Sequence, residues 1–389
     1  MTTAQTPAQS ATQSERTAAQ LDHPVIDGDG HICEPELVWT QYTRAEYRDR
    51  VLQVRTENDC SFLLVEGRGR PGATAGPAAA CIPGGMAPGV QLTWADILPG
   101  SYDPAARLVV MDEEGIDQAL FFPSIHLLWG DIKDPLVAAE TCRAYNNWMS
   151  DFCKTDPARL FGMGIIPLQD MPLAIKEAKR LKGLGLRGFL SRPERFNDLA
   201  LYDPVCDPLW EVAVADDLAV GIHGSFGSAM PSFASQRYPD NIFYEHMIAH
   251  PFGQMAVVMD LIAGGVLDRH PRLRVGFFES GLGWIPYWLD RLDEHFEVMG
   301  HHTPWLKRRP SEIFSEQCFV SMEADEAKGL SWMLDKGLGH CVLWGSDYPH
   351  FDSTYPGAFN EVRETFDAVG DDVAAKVVWQ NPLRYLGSS

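Results

Sequence analysis

Basic residues are scarce: 32 lysines and arginines stand against 53 aspartates and glutamates, giving a formal net charge of −21. Such a chain has no positive field to draw in a phosphate backbone, so nucleic acid is excluded as a general partner. The one basic triplet, Lys307, Arg308 and Arg309, suffices at most for a small anionic group. Long hydrophobic runs are missing as well. Nothing approaches the roughly 18 apolar residues of a membrane span, and the polar stretch 1–22 lacks the apolar core of an export signal. A cytoplasmic protein with a disordered leader and no membrane partner is expected. None of the 8 cysteines forms a Cys-x-x-Cys pair, so they read as reduced, mostly buried thiols and not as a disulfide framework or a zinc-thiolate site. A glycine-rich first turn, the mark of a dinucleotide-binding open sheet, is also absent.

What is present is core material, with 45% hydrophobic residues, and a rhythm. Short apolar runs alternate with longer amphipathic stretches, the pattern of repeated strand–helix units around a parallel sheet. Candidate strands are Val25–Asp27, Ala119–Pro123, Phe161–Ile166, Gly185–Leu190, Leu218–His223, Leu273–Glu279, Cys318–Met322 and Val342–Ser346. Helical patterns lie between them at 136–152, 172–184, 252–267, 284–296, 325–334 and 355–369, and 371–385 reads as a closing helix. Eight such units close into a (β/α)8 TIM barrel spanning 23–389. One segment breaks the rhythm. Residues 51–100 combine a strand pair with a Gly/Pro/Ala-rich loop after the first strand, and are expected to form a lid over the catalytic mouth. Replacing Gly72 to Gly85 by a short linker should then lower turnover far more than thermal stability.

Barrel chemistry sits at the carboxyl ends of the strands, and here those ends are polar. The first runs Asp27-Gly-Asp29-Gly-His31-Ile-Cys-Glu34; the fifth ends in His223, the sixth in Glu279, and the eighth in Ser346-Asp347-Tyr348-Pro349-His350. The loop after the fifth adds His246 and His250. Asp29 and His31 are two apart on an extended segment, so both side chains leave one face and can grip one ion. Any one of these residues has an ordinary structural explanation as a cap, a core histidine or an ion pair. Their gathering at strand ends points to a divalent metal.

The motifs DGDGHICEP, GIHGSFG, HMIAHPFGQM, GGVLDRHPRLRVGFFESGLGWIPYWLDRLDE and VLWGSDYPHFDS resemble, in order, the amidohydrolase-related branch of the amidohydrolase superfamily. That branch includes aminocarboxymuconate semialdehyde and resorcylate-type decarboxylases, and the resemblance covers residues 24–386. It implies a metal site on the positions of an HxH pair, a strand-five His and a strand-eight Asp, which fall on Asp29, His31, His223 and Asp347. It also exposes three departures. Asp29 stands for the first His, Glu279 stands for the catalytic His after strand six, and the fourth strand ends Leu190-Ser191-Arg192 with no lysine to bridge two metals.

With Glu34 and Glu279 added, and with His246 and His250 beside them, such a site has the negative charge to balance two ions, iron foremost, with Glu279 as a bridging or terminal ligand. The favoured reading is therefore a di-iron oxygenase using O₂ to hydroxylate a bulky, largely apolar acid or thioester. That use is similar to the di-iron hydroxylase of platensimycin-type diterpenoid biosynthesis in secondary metabolism. The alternatives are a zinc- or manganese-dependent hydrolase or decarboxylase, and a binding barrel without turnover. Glu279 and His250 are the catalytic candidates, and Phe226, Phe252, Trp284 and His350 the candidate substrate contacts. The resemblance further implies a homodimer or larger assembly.

Overall fold

The structure, a computed structural model, describes residues 23–58, 60–69, 77–224 and 242–387. The leader 1–22 and the candidate substrate contact Phe226 lie outside the described residues. The strands are β1 (Ile26–Ile32), β2 (Gln53–Glu57), β3 (Cys60–Val65), β4 (Arg68–Gly69), β5 (Gln118–Pro123), β6 (Leu160–Ile165), β7 (Gly188–Ser191), β8 (Ala219–His223), β9 (Val275–Phe278), β10 (Cys318–Met322) and β11 (Val342–Trp344). β1 and β5 to β11 form one 8-stranded sheet in sequence order, and every recorded pairing in it is parallel. The expected barrel is therefore the observed one, with each strand run recovered to within a few residues. It closes where β1 meets the chain just past β11: Asp347 N donates to Asp29 O at 2.8 Å and His31 N to Tyr348 O at 2.8 Å.

Pairs of glycines and small residues let this seam be tight. A β-carbon on Gly345 would stand 2.2 Å from Asp29 Cβ, so only glycine lets the end of β11 lie against β1. Gly345→Ala should therefore cost about 1–3 kcal/mol of stability, the usual penalty of forced overpacking. A denaturant midpoint equal to that of the parent protein would show that the seam has slack. Asp27 completes the closure, accepting from Ser346 N at 2.9 Å and from Ser346 Oγ at 2.6 Å.

The helices run Pro104–Glu114, Pro135–Cys153, Met171–Leu181, Asp207–Asp216, Ile242–Val258, Trp284–Met299, Pro310–Gln317, Ala327–Asp335 and Ala358–Val369, with shorter turns between. Several start on a proline preceded by an aspartate cap: Asp103 accepts from Ala106 N and Asp134 from Leu136 N. Two boundaries differ from expectation. β1 extends through Ile32 and so carries Asp29 and His31 itself. The helix expected from Phe252 begins at Ile242, ten residues earlier, and runs through Pro251. His246 and His250 thus sit on a helix at i, i+4 spacing, not on a loop. In the 51–100 segment, β2, β3 and β4 pair antiparallel, and the stretch beyond docks on the β11 loop through Phe351 N to Ala80 O at 3.0 Å and Gly84 N to Phe351 O at 2.7 Å.

Candidate metal centre

Inside the barrel the imidazoles rest on an apolar floor. Phe122 from β5 and Phe278 from β9 pack at 4.6 Å between centroids, and Phe122 lies 5.8 Å from the His31 ring and 5.5 Å from that of His223. Burial on this floor pushes the imidazoles of His31 and His223 below the usual histidine range, so both are neutral. Each ring has its proton placed by a carbonyl: His31 Nδ1 donates to Pro123 O at 2.8 Å and His223 Nδ1 to Gly224 O at 2.7 Å. The two Nε2 atoms must then present lone pairs, and they face each other at 3.1 Å.

Two carboxylate oxygens join them. Asp29 Oδ1 lies 3.7 Å from His31 Nε2 and 3.9 Å from His223 Nε2, while Asp347 Oδ1 lies 3.4 Å from His31 Nε2. Among the described residues neither oxygen has a hydrogen-bond donor; His350 Nδ1 comes within 2.8 Å of Asp347 Oδ1 without the alignment of a hydrogen bond. Four polar atoms thus converge in a buried space, an arrangement that a bound cation makes favourable. Burial, reinforced by the charge of Glu279, holds the carboxyls of Asp29 and Asp347 well above the ordinary aspartate range. The donor set, two imidazoles and two carboxylates, fits a divalent ion such as manganese or zinc.

Glu279 is the hub beside this group. Its Oε2 lies 3.6 Å from both His223 Nε2 and His250 Nε2, and its Oε1 lies 3.9 Å from His246 Nε2 and from His350 Nδ1. Although burial opposes it, the surrounding histidines, His250 first, hold this carboxyl well below the usual glutamate range. Backbone geometry aims it: Glu279 and Asp347 have φ of 52° and 54°, the left-handed region that non-glycine residues seldom occupy, immediately after β9 and β11. Ser321 ties the two halves together, donating to Asp29 Oδ2 at 2.7 Å and accepting from Glu279 N at 3.0 Å.

The helix Ile242–Val258 contributes two different imidazoles. Burial pushes His250 down to about 4, and it is neutral at neutral pH. His246 is less enclosed; against the cost of burial, Glu279 and then Asp352, 3.7 Å away, raise it above the usual range. It is the histidine of the cluster whose proton affinity is raised and not lowered.

The remaining sequence candidates are placed as follows. Glu34 does not join the imidazoles, because its two oxygens accept from Ile125 N at 2.9 Å and His126 N at 3.1 Å, and His126 Nδ1 stands 3.4 Å off. Its assignment as a ligand is corrected to that of a carboxylate capping the turn after β5. Trp284 is also displaced from the mouth: its ring packs edge-on against Phe277, which stacks on Phe314 of the helix Pro310–Gln317, on the outer side of β9. Phe252 lies on the histidine-bearing helix, 46% exposed. His350 stands beside the metal group, its ring 3.9 Å from that of His31 and its Nε2 3.0 Å from Ser124 Oγ. Ser124, His126, Ser321 and Asp352 escaped the sequence reading; only the positions of Ser124 and Ser321 on or just past strand runs hinted at them.

The fold and the four converging acceptors define a metal-binding (β/α)8 barrel. Residues 27–387 match the amidohydrolase family profile, and the chain belongs to that family. It is 30% identical over 268 residues to a gamma-resorcylate decarboxylase from a Polaromonas species, covering 62% of this chain and 76% of that one. In structure it is similar to an amidohydrolase from Mycobacterium avium subsp. paratuberculosis, with a TM-score of 0.80, 20% identity and coverage of 94% and 100%. It is also similar to a 5-carboxyvanillate decarboxylase from Novosphingobium aromaticivorans complexed with manganese and 4-hydroxy-3-methoxy-5-nitrobenzoic acid, with a TM-score of 0.67, 18% identity and coverage of 97% and 100%. No helix among the described residues is long and apolar enough to cross a membrane.

These likenesses overturn the oxygenase expectation. The relatives that share the chain's sequence are decarboxylases, and the metal in a related structure is manganese, so neither an iron pair nor O₂ has support. Negative charge was the basis for a second iron. The structure takes part of that charge away from the site through Glu34, turned to backbone amides.

Proposed function

We infer that the chain is a metal-dependent decarboxylase of a small aromatic carboxylic acid, using one divalent ion held by Asp29, His31, His223 and Asp347. The observation that supports this most is the buried convergence of His31 Nε2, His223 Nε2, Asp29 Oδ1 and Asp347 Oδ1, in a chain whose sequence relatives are decarboxylases. A bound manganese or zinc ion supplies positive charge to hold the substrate's oxygens. Loss of CO₂ breaks one carbon–carbon bond, leaves its electron pair on the ring carbon and requires one proton there; no electrons leave the substrate, so no redox cofactor is needed. The chain's own part is to keep water out, position the ring beside the imidazoles, and present the proton. His246 Nε2, its charge sustained by Glu279, holds that proton, while His250 stays neutral beside it. The 51–100 segment, docked at Phe351 one residue past His350, acts as the lid.

The pH dependence follows with a definite sign. A donor whose proton affinity is raised delivers that proton below its folded pKa and loses it above, so turnover should fall as pH rises past the ordinary histidine value of about 6.5. A rate that instead climbs through pH 8 would assign the donor elsewhere. Metal uptake has the opposite slope. Binding requires Asp29 and Asp347 as carboxylates, and both hold their protons to unusually high pH, so affinity should increase with pH and protons should be released on binding. Calorimetry in buffers of different ionisation enthalpy reads that release directly.

The reading itself is tested by giving manganese-loaded protein a panel of hydroxybenzoic acids in ²H₂O. CO₂ and one deuterium on the product ring are expected. Products that all keep their carboxyl carbon, with esters or lactones opened instead, would make the chain a hydrolase.

A further inference from the structure

Arg192 occupies the place after β7 where no bridging lysine stands, and the metal centre makes no use of it. The register of β7 on β8 pairs Leu190 with Gly221 and Ser191 with Ile222, so the next pair brings Arg192 beside His223. Alternation along the strand puts Arg192 on the same side as Leu190, whose side chain faces the position a Gly221 β-carbon would take inside the barrel, among Phe278 and Met163. Arg192 is 1% exposed, as enclosed as His223 itself, and its side chain runs against Gly130, where a β-carbon would stand 3.0 Å from its Nη1. Two of its amino groups are engaged, one 3.5 Å from Asp131 Oδ1 and the other with Glu194. Its Nε–H is buried with no acceptor among the described residues. A buried donor of this kind is costly unless a ligand completes it.

We propose that Arg192 is a specificity-determining residue whose Nε–H hydrogen-bonds an oxygen substituent on the substrate ring. An N–H of a buried guanidinium gives such an oxygen a charge-assisted bond. The inference rests on the aromatic-acid reading and names the part of the substrate that the metal does not hold. A site with such a donor rejects an analogue lacking the oxygen, because the donor is then left unpaired.

The test uses manganese-loaded full-length protein and equilibrium binding of 2,6-dihydroxybenzoate and 2,6-dimethylbenzoate, which are close in shape and differ in the ring oxygens. Calorimetry should show at least tenfold preference for the dihydroxy acid in the parent protein. In Arg192→Met that ratio should fall to near one, with the dimethyl acid's affinity changed less than about threefold. Since Asp131 and Glu194 lose the Arg192 contact in that variant, Arg192→Lys, which keeps the charge without the Nε–H, is measured alongside, and it should lose the preference while melting near the parent temperature. Retention of the tenfold ratio in the lysine variant overturns the proposal. Equal affinity for the two acids in the parent protein also overturns it, and leaves the decarboxylase reading to be judged separately by CO₂ release.

Discussion

His223→Ala should strip the protein of most of its manganese and with it nearly all turnover. His223 Nε2 stands 3.1 Å from His31 Nε2 and 3.9 Å from Asp29 Oδ1, so its removal takes one of the two neutral nitrogen donors out of the set. Breaking a buried charge cluster by deleting one partner costs about 3–5 kcal/mol, which is roughly a hundred- to several-thousandfold in metal affinity. The barrel itself should survive, since the ring lies at a strand end above Phe122 and Phe278 and not within the packed layers below. Metal content by elemental analysis after dialysis and a melting curve without added metal separate the two effects. Full occupancy in a folded variant would remove His223 from the ligand set.

Glu279→Gln should give the complementary result, with metal retained and turnover lost. The glutamine keeps the shape of the hub but not the charge that sustains a proton on His246, and losing a positioned acid costs about 10²–10⁴-fold in rate. The high-pH limb of the rate profile should also move downward, because His246 then keeps only the weaker support of Asp352. Occupancy that falls in step with the rate would make Glu279 a ligand instead. Paired with His223→Ala, this variant distinguishes the residues that hold the ion from those that hold the proton.

Much of the barrel is legible in the chain because parallel strands buried on both faces are near-continuous apolar runs, and Val342-Leu343-Trp344 or Phe319-Val320 admit few other readings. The first strand was harder to bound, since Asp27, Asp29 and His31 look like a loop until the site that buries them is known. The helix carrying His246 and His250 was misjudged for two reasons: Pro251 resembles a start signal, and apolar residues such as Phe243, Met247 and Phe252 surround it on several sides, leaving little periodicity. Glu34 illustrates a different limit. Residue type placed it among ligands, but two backbone amides ninety residues away claimed it, and nothing local in the sequence announces that. Counting carboxylates ignores burial for a similar reason: the enclosure that raises the proton affinity of Asp29 and Asp347 is made by residues distant in sequence.

The seam between β1 and the residues after β11 carries a consequence for how the protein comes into being. Asp29 and His31 leave the ribosome well before the partners that position them, Asp347 and Tyr348, which are made more than three hundred residues later. The proposed ligand set is therefore complete only once Asp347 has been made, however much of the barrel has already formed, and a chain terminated before it should take up manganese far more weakly than the full chain.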